Sequence, residues 1–206
     1  MFIQYGCGYS SPDGWRNFDA SPTLRFERLP VIGKLYTKND SPFPANVEYG
    51  DIVRGLPLQD GSCDGVYCSH VLEHLSLSDC RTALKHTFKL LKPGGVFRLV
   101  LPDLEHSVRL YQQDESAEAA SSFMRETFLG QEQRARGLAG FVKSWLGNSQ
   151  HLWMWDYKAL AEELEAVGFV DIRRAEYGDS PEPKFKTVEE AVRWENCLGI
   201  ECRKPR

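Results

Sequence analysis

The sequence predicts an α/β protein with a mostly parallel β-sheet, and three observations support this class. Short apolar runs typical of buried strands recur along the chain. Segments with apolar residues at helical spacing lie between several of these runs, and a glycine-rich turn joins one such helix to the next strand. Because parallel strands need a crossover connection, usually a helix, this alternation favours parallel pairing.

The composition limits the function classes. The chain has 206 residues, is 42% hydrophobic and 26% charged, and carries a net charge of -4. These values are typical of one globular domain, here 1–206, and exclude disordered and collagen-like classes. No apolar run approaches the ~18 residues of a membrane helix, and the acidic balance disfavours general nucleic-acid binding. We therefore expect a soluble protein that binds neither membrane nor nucleic acid.

The cysteines indicate a reducing compartment. The six are Cys7, Cys63, Cys68, Cys80, Cys197 and Cys202. Their spacings contain no Cys-x-x-Cys pair, and several lie in apolar runs where a free thiol packs as a small hydrophobe. We expect reduced thiols and a cytoplasmic protein.

The first part of the chain predicts three strands and an unusually short crossover. The strands are Phe2–Tyr5, Arg16–Asp19 and one near Val47–Tyr49. Only seven residues, 9–15, separate Gly8 from Arg16, too few for an ordinary crossover helix. The proline-rich stretch 21–46 predicts an irregular excursion.

A βαβ unit is the firmest prediction in the middle of the chain. Asp64–Cys68 has the composition of a buried strand, and Ser78 is the expected cap of a helix that runs to Leu91. Lys92–Gly95 then ends the helix, and Val96–Leu101 forms the next strand before a proline. Further along we expect a helix capped by Asp156 and ended by Gly168, then strands at Phe169–Ile172 and Leu198–Cys202.

Distinctive residues follow the first four predicted strands, where open α/β sheets bind ligands. Two glycines in Gly6-Cys7-Gly8 allow a ligand close to the backbone, although they also suit a simple tight turn. Asp19 can accept hydrogen bonds from ribose hydroxyls, or it can cap the turn at Ser21. Asp51 beside Ile52 suits an adenine, since the carboxylate can face the exocyclic amine and the Ile52 side chain can pack on the ring. Ser69-His70 follows the fourth strand.

Taken in order, five segments resemble the small class I S-adenosylmethionine-dependent methyltransferases of the type 11-like group. They are Ile3–Gly8, Gly14–Asp19, Gly50–Asp51, Ser69–Leu75 and Leu90–Gly95. The resemblance covers nearly the whole chain and implies a Rossmann-like fold, with seven strands, helices on both faces and an antiparallel last strand. Tyr5 stands where the family usually has an acid, and the first crossover is shortened.

The resemblance implies S-adenosylmethionine as cofactor and S-adenosylhomocysteine as product. It assigns the methionine portion to Gly6, Cys7 and Gly8, the ribose to Asp19, the adenine to Asp51 and Ile52, and the methionine end beside the sulfonium to Ser69 and His70. The implied activity is methyl transfer to an oxygen or nitrogen of a small-molecule acceptor, with sugar-like molecules among the candidates. Catalysis would depend mainly on aligning the acceptor lone pair with the S–CH3 bond of the cofactor.

A base is needed only when the acceptor begins protonated, and three residues are candidates. His151 precedes bulky side chains, Asp103 follows the fifth strand, and His74 follows the fourth. Each has a structural alternative: His151 as a surface histidine, Asp103 as the cap of a helix from Leu104, and His74 as a residue that fixes a turn.

A metal is the alternative to a base. His70, Glu73 and His74 have the i, i+3, i+4 spacing that places three ligands on one helix face, and His151 would be a fourth. The spacing is similar to a Glu-x-x-Glu-His arrangement of metal-dependent methyltransferases, with His70 at the first position. We assign no metal from the sequence, and leave base or metal open.

Residues 104–150 are long for a βα connection. We expect a helical lid over the acceptor, while packing on the sheet or a homodimer contact are the alternatives. Two other function classes remain: a non-catalytic partner module that binds the cofactor or its product, and a nicotinamide-dependent oxidoreductase. The latter lacks the third glycine of the dinucleotide pattern.

Overall fold

The computed structural model describes residues 1–29, 42–133 and 150–206. Its seven strands lie in the order β3-β2-β1-β4-β5-β7-β6. Their bounds are β1 Phe2–Tyr5, β2 Trp15–Asp19, β3 Val47–Tyr49, β4 Cys63–Ser69, β5 Leu91–Pro102, β6 Val170–Ala175 and β7 Cys197–Arg203. The pairings among β1 to β5 are parallel, whereas β7 is antiparallel to both neighbours. The predicted seven-stranded, mostly parallel sheet with an antiparallel last strand is confirmed.

Among the described residues, five α-helices accompany the sheet. They are α1 Pro22–Glu27, α2 Leu77–Leu90, α3 Leu104–Gln113, α4 Ala119–Glu126 and α5 Tyr157–Val167. As predicted, Asp156 caps α5, and Gly168 ends it in the left-handed conformation at φ 109°. The prediction that Ser78 caps α2 is wrong. Ser76 is the cap, because its hydroxyl accepts the free N–H of Asp79 at 3.2 Å.

β5 begins earlier than the sequence indicated. Lys92–Gly95 was expected to be a turn, but Leu91 already pairs with Cys63, and regular pairing resumes at Val96 opposite Gly65. A register irregularity between these pairs accommodates the glycines, with Gly94 at φ 76°. The strand also includes Pro102, which was expected to break it.

The first crossover contains no helix. Residues 6–14 connect β1 to β2, which are parallel neighbours, and the structure describes this whole connection without an α-helix. One face of the sheet is instead covered by the irregular segment 176–196, which connects β6 to β7. Its Phe185 is fully buried, with ring centroids 6.1 Å from Phe2 and 5.7 Å from Trp15.

The other face of the sheet carries the larger core. Leu84 of α2 and Leu160 and Leu164 of α5 are fully buried there, against Phe97 and Leu99 of β5. Alternate residues along β5 therefore serve two cores: odd-numbered side chains pack under α2 and α5, and Val96 and Val100 pack under segment 176–196.

Arg98 lies between Val96 and Val100 and joins segment 176–196 to the sheet. The side chain is fully buried. The guanidinium bonds the carboxylates of Glu189, Asp179 (2.9 Å) and Glu201 (3.1 Å), and lies 4.6 Å from the ring centroid of Trp194. Since a buried charge is tolerated only when it is paired, these partners must close around Arg98 in the folded state.

The predicted lid 104–150 falls partly outside the described residues, since 134–149 are not described. Within the described part, α3 and α4 pack together, with the rings of Tyr111 and Phe123 5.7 Å apart. The lid therefore stays a prediction. Across the described ranges, no helix has the length and apolar character needed to span a membrane.

Replacing Arg98 by Met tests this account of the second face. We expect Arg98→Met to lower the free energy of unfolding by about 3–5 kcal/mol, because Glu189 would stay buried without its cation and Glu201 would keep only Arg173. Arg173→Ala is the matched control. Arg173 bonds Asp179 and Glu201 but is 39% exposed, so the expected loss is about 1 kcal/mol or less. Urea denaturation measures both, and equal losses would contradict the account.

Candidate active site

Two cavities meet at Gly6, at the carboxyl end of β1. The adenosine-side cavity, named for the ligand portion that the sequence resemblance implies for its residues, measures about 300 Å³. It is lined by Tyr5, Gly6, Asp19, Ala20, Ser21, Pro22, Gly50, Asp51, Ile52, His70, Val71, His74 and Leu75. The loop-side cavity measures about 260 Å³ and is lined by Gln4, Gly6, Cys7, Gly8, Tyr9, Ser10, Tyr67, Ser69, Val188, Glu190 and Arg193. All eight residues predicted to bind the cofactor line one cavity or the other.

The loop Gly6-Cys7-Gly8 adopts a conformation that needs glycine. Gly6 has φ 66° and Gly8 has φ 54°. A Cβ on Gly6 would lie 2.1 Å from Cγ2 of Val71, so the backbone there is closely packed. At Gly8 a Cβ would meet no described atom within 4 Å, so the backbone is open to the loop-side cavity. A ligand can therefore approach the Gly8 backbone closely.

Cys7 anchors this loop from beneath. It is buried beside Leu24, Phe43 and Val47. Burial, with a smaller contribution from the charge of Asp19, raises the pKa of the Cys7 thiol to about 12. The thiol is therefore neutral at physiological pH and serves packing, not nucleophilic chemistry.

Asp19 fixes the end of β2 against the glycine loop. Its Oδ2 accepts the N–H of Gly8 at 2.9 Å, and its Oδ1 accepts the N–H of Ser21 at 2.8 Å. It thus caps the following turn, as the structural alternative stated, and also lines the adenosine-side cavity. Since a carboxylate has about four acceptor positions, two bonds leave capacity for ligand hydroxyls.

Asp51 and Ile52 lie at the far end of the same cavity. Oδ1 of Asp51 accepts the N–H of Val53 at 2.9 Å, which fixes the carboxylate. Ile52 is 4% exposed, and its carbonyl lies 2.8 Å from Nδ1 of His86 on α2. The pair combines a fixed acceptor with an apolar wall.

Arg193 is a site residue that the sequence did not reveal. Its Nε donates to Oγ of Ser69 at 2.8 Å, and its carbonyl lies 2.9 Å from Nε2 of His70. Arg193 and Glu190 line the loop-side cavity, although more than a hundred residues separate them from Ser69. They belong to segment 176–196, whose sequence has no strand or helix periodicity to place it.

His70 lines the adenosine-side cavity and contacts Arg193, which lines the loop-side cavity. It adopts φ 54°, which is uncommon for a residue with a Cβ. Burial alone would lower the pKa of His70, but contacts with Cys197, Glu73 and the Arg193 carbonyl outweigh it and raise the pKa to about 10. Its Nδ1 lies 3.4 Å from Oε1 of Glu73.

The side chains of His74 and His151, two candidates from the sequence, lie against each other. Their ring centroids are 4.9 Å apart. His74 lines the adenosine-side cavity, and its Nδ1 lies 2.9 Å from the carbonyl of Gln150. His151 is 8% exposed, and burial lowers its pKa. Its alternative as a surface histidine does not fit this burial.

Asp103 has a structural role. It caps α3, where its Oδ1 accepts the N–H of Glu105 at 2.9 Å. It is buried and lies 3.8 Å from Arg174, and it is not a lining residue of either described cavity. Its expected contact with the acceptor stays a prediction. Its observed position is that of the alternative, the cap of the helix that begins at Leu104.

Comparison with known proteins identifies the family. A family model described as "Methyltransferase domain" matches residues 7–173. The chain belongs to this methyltransferase domain family. The resemblance to class I methyltransferases, the Rossmann-like fold and the enzyme class predicted from the sequence are thereby confirmed. No curated protein sequence matches the chain.

Solved structures show the same fold in this family. A SAM-dependent methyltransferase from Thermotoga maritima is 16% identical, with a TM-score of 0.53 over 99% of this chain and 82% of that chain. A structure of the Haloferax volcanii Trm112 activator in complex with a methyltransferase is 18% identical, with a TM-score of 0.51 over 100% of this chain and 82% of that chain. Haemonchus contortus phosphoethanolamine N-methyltransferase 2, in complex with S-adenosyl-L-methionine, is 13% identical, with a TM-score of 0.50 over 100% of this chain and 48% of that chain.

Substitution of Gly6 tests the packed loop. Gly6 and Gly178 both have positive φ, at 66° and 74°, so alanine at either costs about 1–2 kcal/mol in backbone energy. Only Gly6→Ala also forces a Cβ against Val71, while at Gly178 no described atom lies within 4 Å. We expect Gly6→Ala to be less stable than Gly178→Ala by about a further 1–3 kcal/mol in urea denaturation. Equal stabilities would show that the loop accommodates a side chain.

Proposed function

We propose that the chain binds S-adenosylmethionine across the two cavities and transfers its methyl group to an oxygen or nitrogen of a small-molecule acceptor. The observation that carries this proposal is the meeting of both cavities at Gly6. An adenosine and a methionine moiety are joined in one molecule, and two adjoining cavities of about 300 and 260 Å³ suit such a ligand.

The adenosine-side cavity takes the nucleoside. Asp19 has acceptor positions left for the two ribose hydroxyls, and it lies at the end of β2, the neighbour of β1. Asp51 accepts from the exocyclic amine, while Ile52 packs on the base. Both carboxylates are fixed by backbone hydrogen bonds, Asp19 in a buried and Asp51 in a half-buried position, which favours specific recognition.

The loop-side cavity takes the amino-acid portion. Its backbone floor at Gly8 is open, as a Cβ there would meet no described atom within 4 Å. Arg193 supplies a positive charge for the cofactor carboxylate, and Glu190 supplies a negative charge for its ammonium group. Ser69 and His70 hold Arg193 and lie where the two cavities join.

The chain contributes mainly orientation. Bound S-adenosylmethionine supplies an activated methyl group on a sulfonium. The protein holds an acceptor lone pair in line with that group, which can contribute several kcal/mol to the rate. We assign the acceptor to the side of His74 and Leu75, with the predicted lid 104–150 as its cover. The net charge of -4 disfavours a phosphate-rich acceptor, so a neutral or sugar-like molecule is preferred.

His74 is placed to handle an acceptor proton. The Gln150 carbonyl only accepts hydrogen bonds, so Nδ1 of His74 carries the hydrogen and Nε2 keeps its lone pair in the neutral ring. His151, with its ring against His74, is the second candidate. An amine acceptor that is already neutral needs neither residue.

The compartment and assembly are also proposals. The six cysteines are free, and five are buried, which suits a reducing compartment such as the cytoplasm. A homodimer and the absence of nucleic-acid contacts stay predictions.

Calorimetry with S-adenosylhomocysteine tests the ribose assignment. We expect Asp19→Ala to weaken binding at least tenfold, since hydrogen bonds to a charged group contribute about 1.5–3 kcal/mol. Asp60→Ala, at an exposed position outside both cavities, is the control and should bind normally. Unchanged affinity in Asp19→Ala would refute the ribose assignment. Binding of NAD without binding of S-adenosylhomocysteine would refute the cofactor.

Turnover needs its own assay. We expect the wild-type chain to release S-adenosylhomocysteine when it is screened with hydroxyl-bearing and amine-bearing small molecules. Tight cofactor binding without turnover on any of them would favour the non-catalytic partner module.

A further inference from the structure

Glu73 is a buried acid with no hydrogen bond to its carboxylate. It lies in the 3-10 helix Leu72–His74 directly after β4, and its side chain is 1% exposed. Within the described part of the chain, neither Oε1 nor Oε2 has a hydrogen-bond partner. Leaving a buried charged group unpaired is costly, so this carboxylate needs a positive partner.

The backbone of Glu73 is held firmly, which keeps the carboxylate in place. Its carbonyl accepts the N–H of Leu152 at 2.7 Å and of Trp153 at 3.2 Å. These bonds also bring His151 to the same point, because His151 immediately precedes Leu152. The closeness of Glu73 and His151 is thus a property of the backbone and not of one rotamer.

Three ligand atoms converge here. One atom each from Glu73, His74 and His151 lies within 4.8 Å of the others. Nδ1 of His151 is buried and, like both oxygens of Glu73, has no hydrogen-bond partner among the described residues. Nε2 of His74 lies 3.9 Å from Oε1 of Glu73, and its lone pair is free because Nδ1 holds the hydrogen.

The surroundings orient the ligands as metal sites require. The Gln150 carbonyl fixes the His74 ring through Nδ1, which is the usual outer contact of a metal-bound histidine. The N–H of His151 donates to the carbonyl of Phe128 at 3.3 Å, and the Phe128 ring lies 5.1 Å from the imidazole.

We propose that Glu73, His74 and His151 bind one divalent metal ion of the class that prefers imidazole, with zinc the first candidate. Two imidazoles and one carboxylate form a known zinc ligand set that leaves a coordination position open. Magnesium prefers an all-oxygen site and fits this set poorly.

His70 is not among the proposed ligands, although the sequence spacing included it. Its Nε2 is engaged with the Arg193 carbonyl at 2.9 Å, and its Nδ1 points to Glu73 at 3.4 Å. The rival account is therefore an ion pair in which a protonated His70 alone neutralises Glu73. That account leaves Nδ1 of His151 and the second oxygen of Glu73 without a partner.

The proposed site adjoins the adenosine-side cavity, since His74 belongs to both. If the proposed function holds, the open position of the ion would be available to an oxygen atom of the acceptor, and the ion, bound at Nε2 of His74, would replace that histidine as the group that activates the acceptor. This step rests on the proposed function, and it favours an acceptor with a hydroxyl group over an amine. The metal site itself does not depend on that function.

Metal analysis of the full chain, purified without a histidine tag, tests the site. The protein is stripped with a chelator, dialysed against zinc chloride and analysed for bound metal. We expect about one zinc per chain, and a higher melting temperature with zinc than without it. Less than a tenth of an equivalent in the folded wild type would overturn the proposal in favour of the ion pair with His70.

Variants locate the ion. Glu73→Gln and His151→Asn should each lose most of the bound zinc, whereas His106→Asn, on α3 and outside the cluster, should retain it. Because Gln removes only the buried charge, Glu73→Gln should stay folded without zinc. If it does not fold, His151→Asn decides alone. Full zinc binding by a folded ligand variant would overturn the assignment.

A parallel titration with S-adenosylhomocysteine keeps the two proposals apart. We expect Glu73→Gln to bind S-adenosylhomocysteine with unchanged affinity. Zinc binding by a wild type that does not bind S-adenosylhomocysteine would overturn the proposed function and support the metal site. The reverse result would overturn the metal site and support the proposed cofactor.

Discussion

The buried guanidinium of Arg98 links the sheet to segment 176–196, which completes the lining of the loop-side cavity. Glu189, Asp179 and Glu201 surround it, and two of these acids belong to segment 176–196. Because the charge of Arg98 is tolerated only with these partners, the segment must close over the second face of the sheet whenever the chain folds. Arg193 lies four residues after Glu189 in this segment, and the closure brings it to Ser69.

The shortened first crossover explains why this segment carries such a role. A helix between β1 and β2 would cover the face on which Phe2 and Trp15 lie, but residues 6–14 are too few to supply one. Phe185 and Trp194 fill that face instead. The short β1–β2 connection therefore has two consequences. The β6–β7 connection builds a second core, and the charged lining of the loop-side cavity comes from segment 176–196.

Local signals in the sequence were sufficient for the sheet and for placing the predicted cofactor residues along the two cavities. Gly6-Cys7-Gly8, Asp19 and Asp51 each follow a strand, and parallel strands bring such positions to one edge. The position of Arg193 was not predictable, since it depends on the burial of Arg98, which reads as an ordinary charged residue within an apolar strand. The cap of α2 was misplaced for a different reason: Ser76 and Ser78 both suit a cap, and only the bond to Asp79 separates them.

A crystal structure with S-adenosylhomocysteine would show whether the two cavities form one cofactor site. We expect the adenine beside Ile52, the ribose hydroxyls on Asp19 and the carboxylate beside Arg193. A ligand whose amino-acid portion lies away from the loop-side cavity, or a nucleoside outside the cavity of Asp19 and Asp51, would contradict it.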